Sequence, residues 1–197
     1  AGRPVLLDRV RAVPGAAAEA GVLCFASGEQ SNRFVTIRNG RFEGPGKAGV
    51  RVDGPAVDLE VTNNRFYNLS PDGAGVVFTR PGGRATRAAV LSNSFYLTPA
   101  GVRFDGKAEE LGAYELKLSL NYFARTGELL KAPGGGVKLT AADNFCDPAS
   151  GPGALPAAGF KKIDAPTLPD PNPNDDAAFM RFPGPAPMAG ATRAGAQ

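Results

Sequence analysis

The chain contains no histidine. The side chain that most often binds transition metals and moves protons near neutral pH is therefore missing. Any acid–base chemistry would rest on Asp, Glu, Lys, Arg, Tyr or Ser. Cysteine is scarce: Cys24 and Cys146 stand far apart and make no CxxC pair. Without histidine beside them a zinc site is not expected, so no metal and no cofactor is assigned. They read as two small buried or half-buried hydrophobes. No run of about 18 apolar residues exists, which excludes a transmembrane helix.

An excess of one charge is also lacking. The 22 Lys and Arg stand against 19 Asp and Glu, a formal net charge of +3. That balance supplies no basic face, and the aromatics do not alternate with basic residues, so nucleic acid is not an expected partner. Ala1 to Val10 lack both a Met and the charged-then-apolar layout of a signal peptide. This stretch reads as a start partway into a pattern, as in a segment of a longer protein.

What is abundant is turn chemistry, with 26 Gly and 18 Pro, and within it a repeat. Apolar-x-apolar-x-x-Asn/Gly-x-Phe occurs at Val35 to Phe42, Leu59 to Phe66, Ala88 to Phe95 and Leu116 to Phe123. A degenerate fifth copy runs from Val137 and Leu139 to Phe145. The Phe-to-Phe steps are 24, 29, 28 and 22 residues. A second marker, Gly-apolar-x-apolar, begins at Gly21, Gly49, Gly75, Gly101 and, more weakly, Gly127, with steps of 28, 26, 26 and 26. Two markers in one register define a solenoid, in which each coil buries its apolar side only against its neighbours.

Strand geometry fixes the rest. Alternate residues face opposite ways, and stacked strands lie about 4.8 Å apart. Phe42, Phe66, Phe95, Phe123 and Phe145 are expected to form an internal aromatic column, and Val50, Val76 and Val102 an aliphatic one. Asn64, Asn93 and Asn121 share one bend, where Asn tolerates left-handed backbone and its amides can bond one another as a ladder. Gly40 fits the same bend. Leucine-rich repeats share part of this spacing but follow the Asn with a compact return, where this chain has Asn68 to Gly73 and another strand. A β-sandwich would explain neither marker.

Gly49-Val-Arg-Val-Asp-Gly54, followed by Val57-Asp-Leu-Glu-Val-Thr-Asn-Asn-Arg-Phe66, resembles the coils of the pectate-lyase-like right-handed parallel β-helix superfamily. The resemblance covers roughly residues 5 to 147. It implies an all-β fold: a right-handed, single-stranded parallel β-helix of about five to six coils over residues 1–147. Residues 148–197 form an irregular Pro-rich tail, holding 10 of the 18 prolines. Phe160, Ile163, Phe179, Met180 and Phe182 are expected to pack it as a cap, with the end disordered. The superfamily holds lyases, glycoside hydrolases, epimerases, phage tailspikes and non-enzymatic surface proteins. A bacterial, extracytoplasmic or cell-surface setting is implied.

The candidate substrate-binding residues are Arg51, Asp53, Arg103 and Asp105, on the outward side of the Gly-Val strand. Val77 and Thr79 should lie between the two pairs. Two coils put Asp53 and Asp105 about 10 Å apart, near the upper limit for an inverting glycosidase. In the superfamily this strand lines the sugar groove. An ordinary solvated ion pair is the simpler reading of Arg and Asp two apart. The superfamily's hydrolases carry clustered aspartates with a histidine, and its lyases acidic calcium ligands with a basic residue. Neither set stands on these coils, so no catalytic residue is assigned. Arg33, Arg38, Arg41 and Arg65 read as a solvated basic stripe. Two functions stay open: a non-catalytic scaffold or recognition module of a larger protein, and a carbohydrate-binding or polysaccharide-active protein. The expected partners are a polysaccharide and flanking domains or subunits at the coil ends.

Overall fold

The computed structural model describes residues 3–26, 32–79, 86–107, 114–133, 137–151 and 158–163. Every paired strand among them is parallel to its neighbour, and none of them is helical. The strands stack into a parallel β-helix of about five turns with three long sheets. Sheet I holds Val5–Asp8, Val35–Arg38, Leu59–Thr62, Thr86–Leu91, Tyr114–Ser119 and Val137–Ala142. Sheet II holds Arg11–Ala12, Arg41–Glu43, Arg65–Tyr67, Ser94–Tyr96, Tyr122–Ala124, Asn144–Cys146 and Phe160–Lys162. Sheet III holds Val22–Phe25, Ala48–Asp53, Ala74–Thr79, Ala100–Asp105 and Glu128–Lys131. The short strands Asn32–Arg33 and Ala56–Val57 pair separately. Each coil runs from sheet I through a bend to sheet II, then to sheet III and on to the next coil.

The core is built of columns. Phe42, Phe66, Phe95 and Phe123 stack at centroid distances of 5.2, 4.9 and 4.8 Å with rings within 13° of parallel. Val22, Val50, Val76, Val102 and Leu130 form the aliphatic column in sheet III. Beside it run Cys24, Val52, Phe78 and Phe104. Cys24 and Cys146 are both free and buried, as their places at opposite ends of the stack require. Burial pushes the Cys24 thiol up to about 11.

Asn64, Asn93, Asn121 and Asn144 form one continuous buried ladder. Each Nδ2 donates to a carbonyl of the preceding coil: Ile37, Val61, Val90 and Leu118 respectively, at 2.7–2.9 Å. The same amide of Asn64, Asn93 and Asn121 donates onward to the next Asn Oδ1, at 2.9–3.1 Å. Backbone N–H groups of Gly40, Asn64, Asn93 and Asn121 complete each rung by donating to the next Oδ1. Asn93 and Asn121 thus use every donor and acceptor their amides possess.

The left-handed backbone sits one residue earlier than expected. Asn39, Asn63, Ser92, Leu120 and Asp143 carry φ between 52° and 58°. The ladder Asn is freed from turning the chain, so its amide can point inward along the stack.

The last coil departs from the expected register by one residue. Phe123 pairs with Cys146, and Tyr122 with Phe145. Phe145 therefore lies outside the aromatic column and Cys146 occupies its place. The cause is the ladder: Asn144 bonds Asn121, which makes Asn144-Phe145-Cys146 the true copy of Asn-x-Phe. Gly127 is likewise not the fifth glycine. Val102 pairs with Leu130, so Leu129 stands opposite Gly101.

Sterics explain that exchange. A Cβ on Gly49, Gly75 or Gly101 would stand 2.3–2.4 Å from the ring of Phe66, Phe95 or Phe123, and 2.8–2.9 Å from a carbonyl oxygen of the next coil. Glycine is needed wherever a Phe lies across it and a strand follows. Glu128–Lys131 is the edge strand of sheet III among the described residues, and Cys146 is smaller than Phe, so Leu129 fits. Gly75→Ala is expected to cost about 1–3 kcal/mol, the range for overpacking a core, in urea unfolding followed by circular dichroism. Gly15→Ala, with nothing within 4 Å of the added Cβ, should be near neutral.

Beyond residue 147 the chain adds Phe160–Lys162 to sheet II. Phe160 closes the aromatic column, 6.2 Å from Phe123 with its ring tilted by 36°, and Ile163 packs beside Tyr96 and Tyr122. Phe179, Met180 and Phe182 lie outside the described residues.

Candidate functional site

Sheet III brings the four candidate residues onto one outward face in two rows. Leu23, Arg51, Val77, Arg103 and Lys131 form one row, and Phe25, Asp53, Thr79 and Asp105 the other. The two Arg-x-Asp pairs do not share an environment. Arg103 lies 2.7 Å from Asp105 through Nε and donates from Nη2 to its Oδ2 at 3.1 Å. Only the second approach has hydrogen-bond alignment. Nη1 of Arg103 also donates to the Asp72 carbonyl. Arg51 instead reaches Glu19, at 2.7 Å. Lys47 also binds Glu19, at 2.6 Å, and holds its carboxyl below the usual range, with Arg51 a smaller contributor. Asp105 is exposed, whereas Asp53 is buried beneath its neighbours.

A hollow of about 190 Å³ lies beside Arg103, bounded by Asp72, Glu128, Lys131 and the Pro71 and Pro99 turns. Lys131 and Glu128 pair across its edge at 3.0 Å. Of the candidate residues, Arg103 lines this hollow.

A larger groove of about 520 Å³ runs along the outer face of sheet I. Glu60, Arg87, Ala89, Glu115, Lys117 and Thr140 are among the residues that line it. Arg87 pairs with Asp58 at 2.9 Å and Lys138 with Glu115 at 2.8 Å. The Lys138 hydrogen bond lowers the Glu115 carboxyl, and Glu115 in turn raises the Lys138 ammonium. Sequence reading missed this groove because its residues come from four coils and share no type. The register Glu60, Ala89, Lys117, Thr140 was the one available signal.

The expected basic stripe breaks up. Arg33 belongs to the separate short sheet and Arg38 pairs with Asp8 at 3.3 Å. Arg41 is not solvated: it is buried and paired with Glu43 at 2.6 Å. Arg11 reaches the other oxygen of Glu43 at 2.9 Å. The pleat turns Arg41 outward, as expected, yet the surface there is covered.

Among the described residues no group of three or more His, Cys, Asp or Glu side chains is arranged to hold a metal ion. No helix there is long and apolar enough to cross a membrane. No family model, no curated protein and no solved structure matches the chain.

Proposed function

We propose that the chain is a non-catalytic β-helix scaffold or recognition module of a larger protein. The observation that carries this reading is the pairing of the charged outer faces. Arg103 with Asp105, Arg51 with Glu19, Arg87 with Asp58 and Lys138 with Glu115 neutralise one another at the surface. A catalytic site needs a group held away from such neutralisation, with its proton affinity tuned for transfer. The docking element in this reading is the first coil. Val5–Asp8, Arg11–Ala12 and Val22–Phe25 each pair on one side only among the described strands. Val5, Leu6, Leu23 and Phe25 are exposed beside those edges. An open edge flanked by apolar side chains suits a further coil, a flanking domain or a subunit. We extend the proposal to a pectate-lyase-like ancestry and an extracytoplasmic, bacterial setting. The three-sheet coil and the Asn ladder support the first of these.

A carbohydrate-binding reading has one observation in its favour, the hollow beside Arg103. Incubation with acidic and neutral polysaccharides separates the two. The scaffold reading expects no reducing-sugar release and no binding at millimolar concentration. Binding or release that disappears in both Arg51→Ala and Asp105→Ala would replace it with the carbohydrate reading.

A further inference from the structure

Charge on the outer face of sheet I follows a rule along the stack. Register places Asp58, Arg87, Glu115 and Lys138 in one row on successive coils, with Asp58 one residue ahead of its strand. Their signs run minus, plus, minus, plus. Such a row is its own complement when reversed. A two-fold axis parallel to the strands, passing between Arg87 and Glu115, sets Asp58 of one copy against Lys138 of a second. It likewise sets Arg87 against Glu115. A two-fold contact needs this property, because one patch must recognise itself.

Size follows the same rule in the next row. Glu60, Ala89, Lys117 and Thr140 are successive partners. The same axis sets the long Lys117 of one copy over the short Ala89 of the other, and Glu60 over Thr140. Ala89 and Thr140 both line the groove of about 520 Å³, so each long side chain enters space above a short one. Lys117 seated over Ala89 also comes beside Glu60, one strand spacing away. The third outward row, Thr62, Leu91, Ser119 and Ala142, carries no charge to oppose contact.

The charged groups are open to a second copy. The side chains of Asp58, Arg87, Glu115 and Lys138 are 42–76% exposed. Arg87 already pairs with Asp58, and Lys138 with Glu115, within the chain. Guanidinium, ammonium and carboxylate groups each bond more than one partner, so these pairs keep capacity for a further one.

We propose that this face is a weak homodimer interface, in which two copies pack sheet I on sheet I with their stack axes antiparallel. Four coils present about 19 Å along the stack, and a six-residue strand spans about 20 Å across it. That is less area than a stable protein interface buries. Association is therefore weak and carried largely by charge. The contact is lateral, separate from the open edge of the first coil.

Static light scattering of the full chain at low salt, from micromolar to millimolar concentration, should show a monomer–dimer equilibrium. At about 1 M salt, where the screening length is about 3 Å, the dimer should dissociate. Arg87→Glu sets an introduced carboxylate against Glu115 of the second copy, twice in each dimer, and should weaken self-association at least about tenfold. Glu115→Arg should do the same through opposed guanidinium groups. Mixed together, the two variants should associate with each other. The introduced carboxylate of one then faces the introduced guanidinium of the other, and the unchanged Glu115 faces the unchanged Arg87. That recovery also shows that neither variant failed to fold. A chain that stays monomeric up to millimolar concentration at low salt overturns the proposal. So does a dimer that both variants form as readily as the parent chain, because its contact lies elsewhere. A mixture that stays monomeric overturns the antiparallel pairing.

Discussion

Replacing Asn93 with Ala should destabilise the protein by about 3–5 kcal/mol, from losses of about 1–3 kcal/mol for each buried polar group left without a partner. Asn93 is fully buried. Its amide donates to Val61 and Asn121, and its Oδ1 accepts from the backbone and side chain of Asn64. Alanine strands the Asn64 N–H and withdraws a donor from the Val61 carbonyl. Water cannot reach either group without opening the bend between sheets I and II. Asn93→Asp should be no better. It keeps the shape, but its second oxygen would face the Val61 carbonyl and Asn121 Oδ1, which need a donor. Urea unfolding followed by circular dichroism measures both. Lys138→Ala, which removes one exposed ion pair, is the control and should change stability by less than about 1 kcal/mol. A loss in Asn93→Ala no larger than that control would mean the ladder follows the fold without holding it.

Phe95→Ala should cost a similar amount, about 3–5 kcal/mol for a buried aromatic truncated to Ala. The ring stacks on Phe66 at 4.9 Å and on Phe123 at 4.8 Å, so its removal breaks the column on both sides. The cavity cannot collapse easily. Strand hydrogen bonds fix the coil spacing above and below, and Gly75 supplies no side chain to fall inward. Position along the stack should matter. Among the described residues Phe160 meets one aromatic ring, at 6.2 Å and tilted, so Phe160→Ala should cost clearly less. In a solenoid, stability is carried by interfaces between nearest neighbours, and an end repeat has one fewer. Equal losses at Phe95 and Phe160 would argue against a column that works rung by rung.

These two predictions rest on features that were legible in the sequence, and the reason is physical. Asn-x-Phe and Gly-Val mark positions where few residue types fit. The bend requires an amide that satisfies both coils, and the ring lying across Gly75 leaves no room for a Cβ. The last coil was misread because that constraint relaxes once Leu129 lies on the edge strand of sheet III. Leu129 can replace glycine there, Cys146 can replace phenylalanine, and the nearby Phe145 then imitates the motif. The outward faces were far less legible. Glu19 comes from a segment outside the repeat, so the partner of Arg51 could not be read from spacing. Arg41 looked solvated because alternation gives direction, not cover. The sheet I groove draws on four coils whose outward residues differ, since solvated positions are constrained mainly by charge balance.

Stacking is the central claim, and distances between spin labels along one outward row test it directly. Leu6, Thr36, Glu60, Ala89, Lys117 and Thr140 are successive partners in sheet I. Cysteines placed at Leu6 with Lys117, and at Leu6 with Thr140, can be labelled at neutral pH. The native thiols are buried, and that of Cys24 is pushed up to about 11. A stacked β-helix gives backbone separations of about 19 Å and about 24 Å, four and five spacings of about 4.8 Å, with the second pair longer than the first. A Leu6–Thr140 distance equal to or shorter than Leu6–Lys117 would contradict the stack.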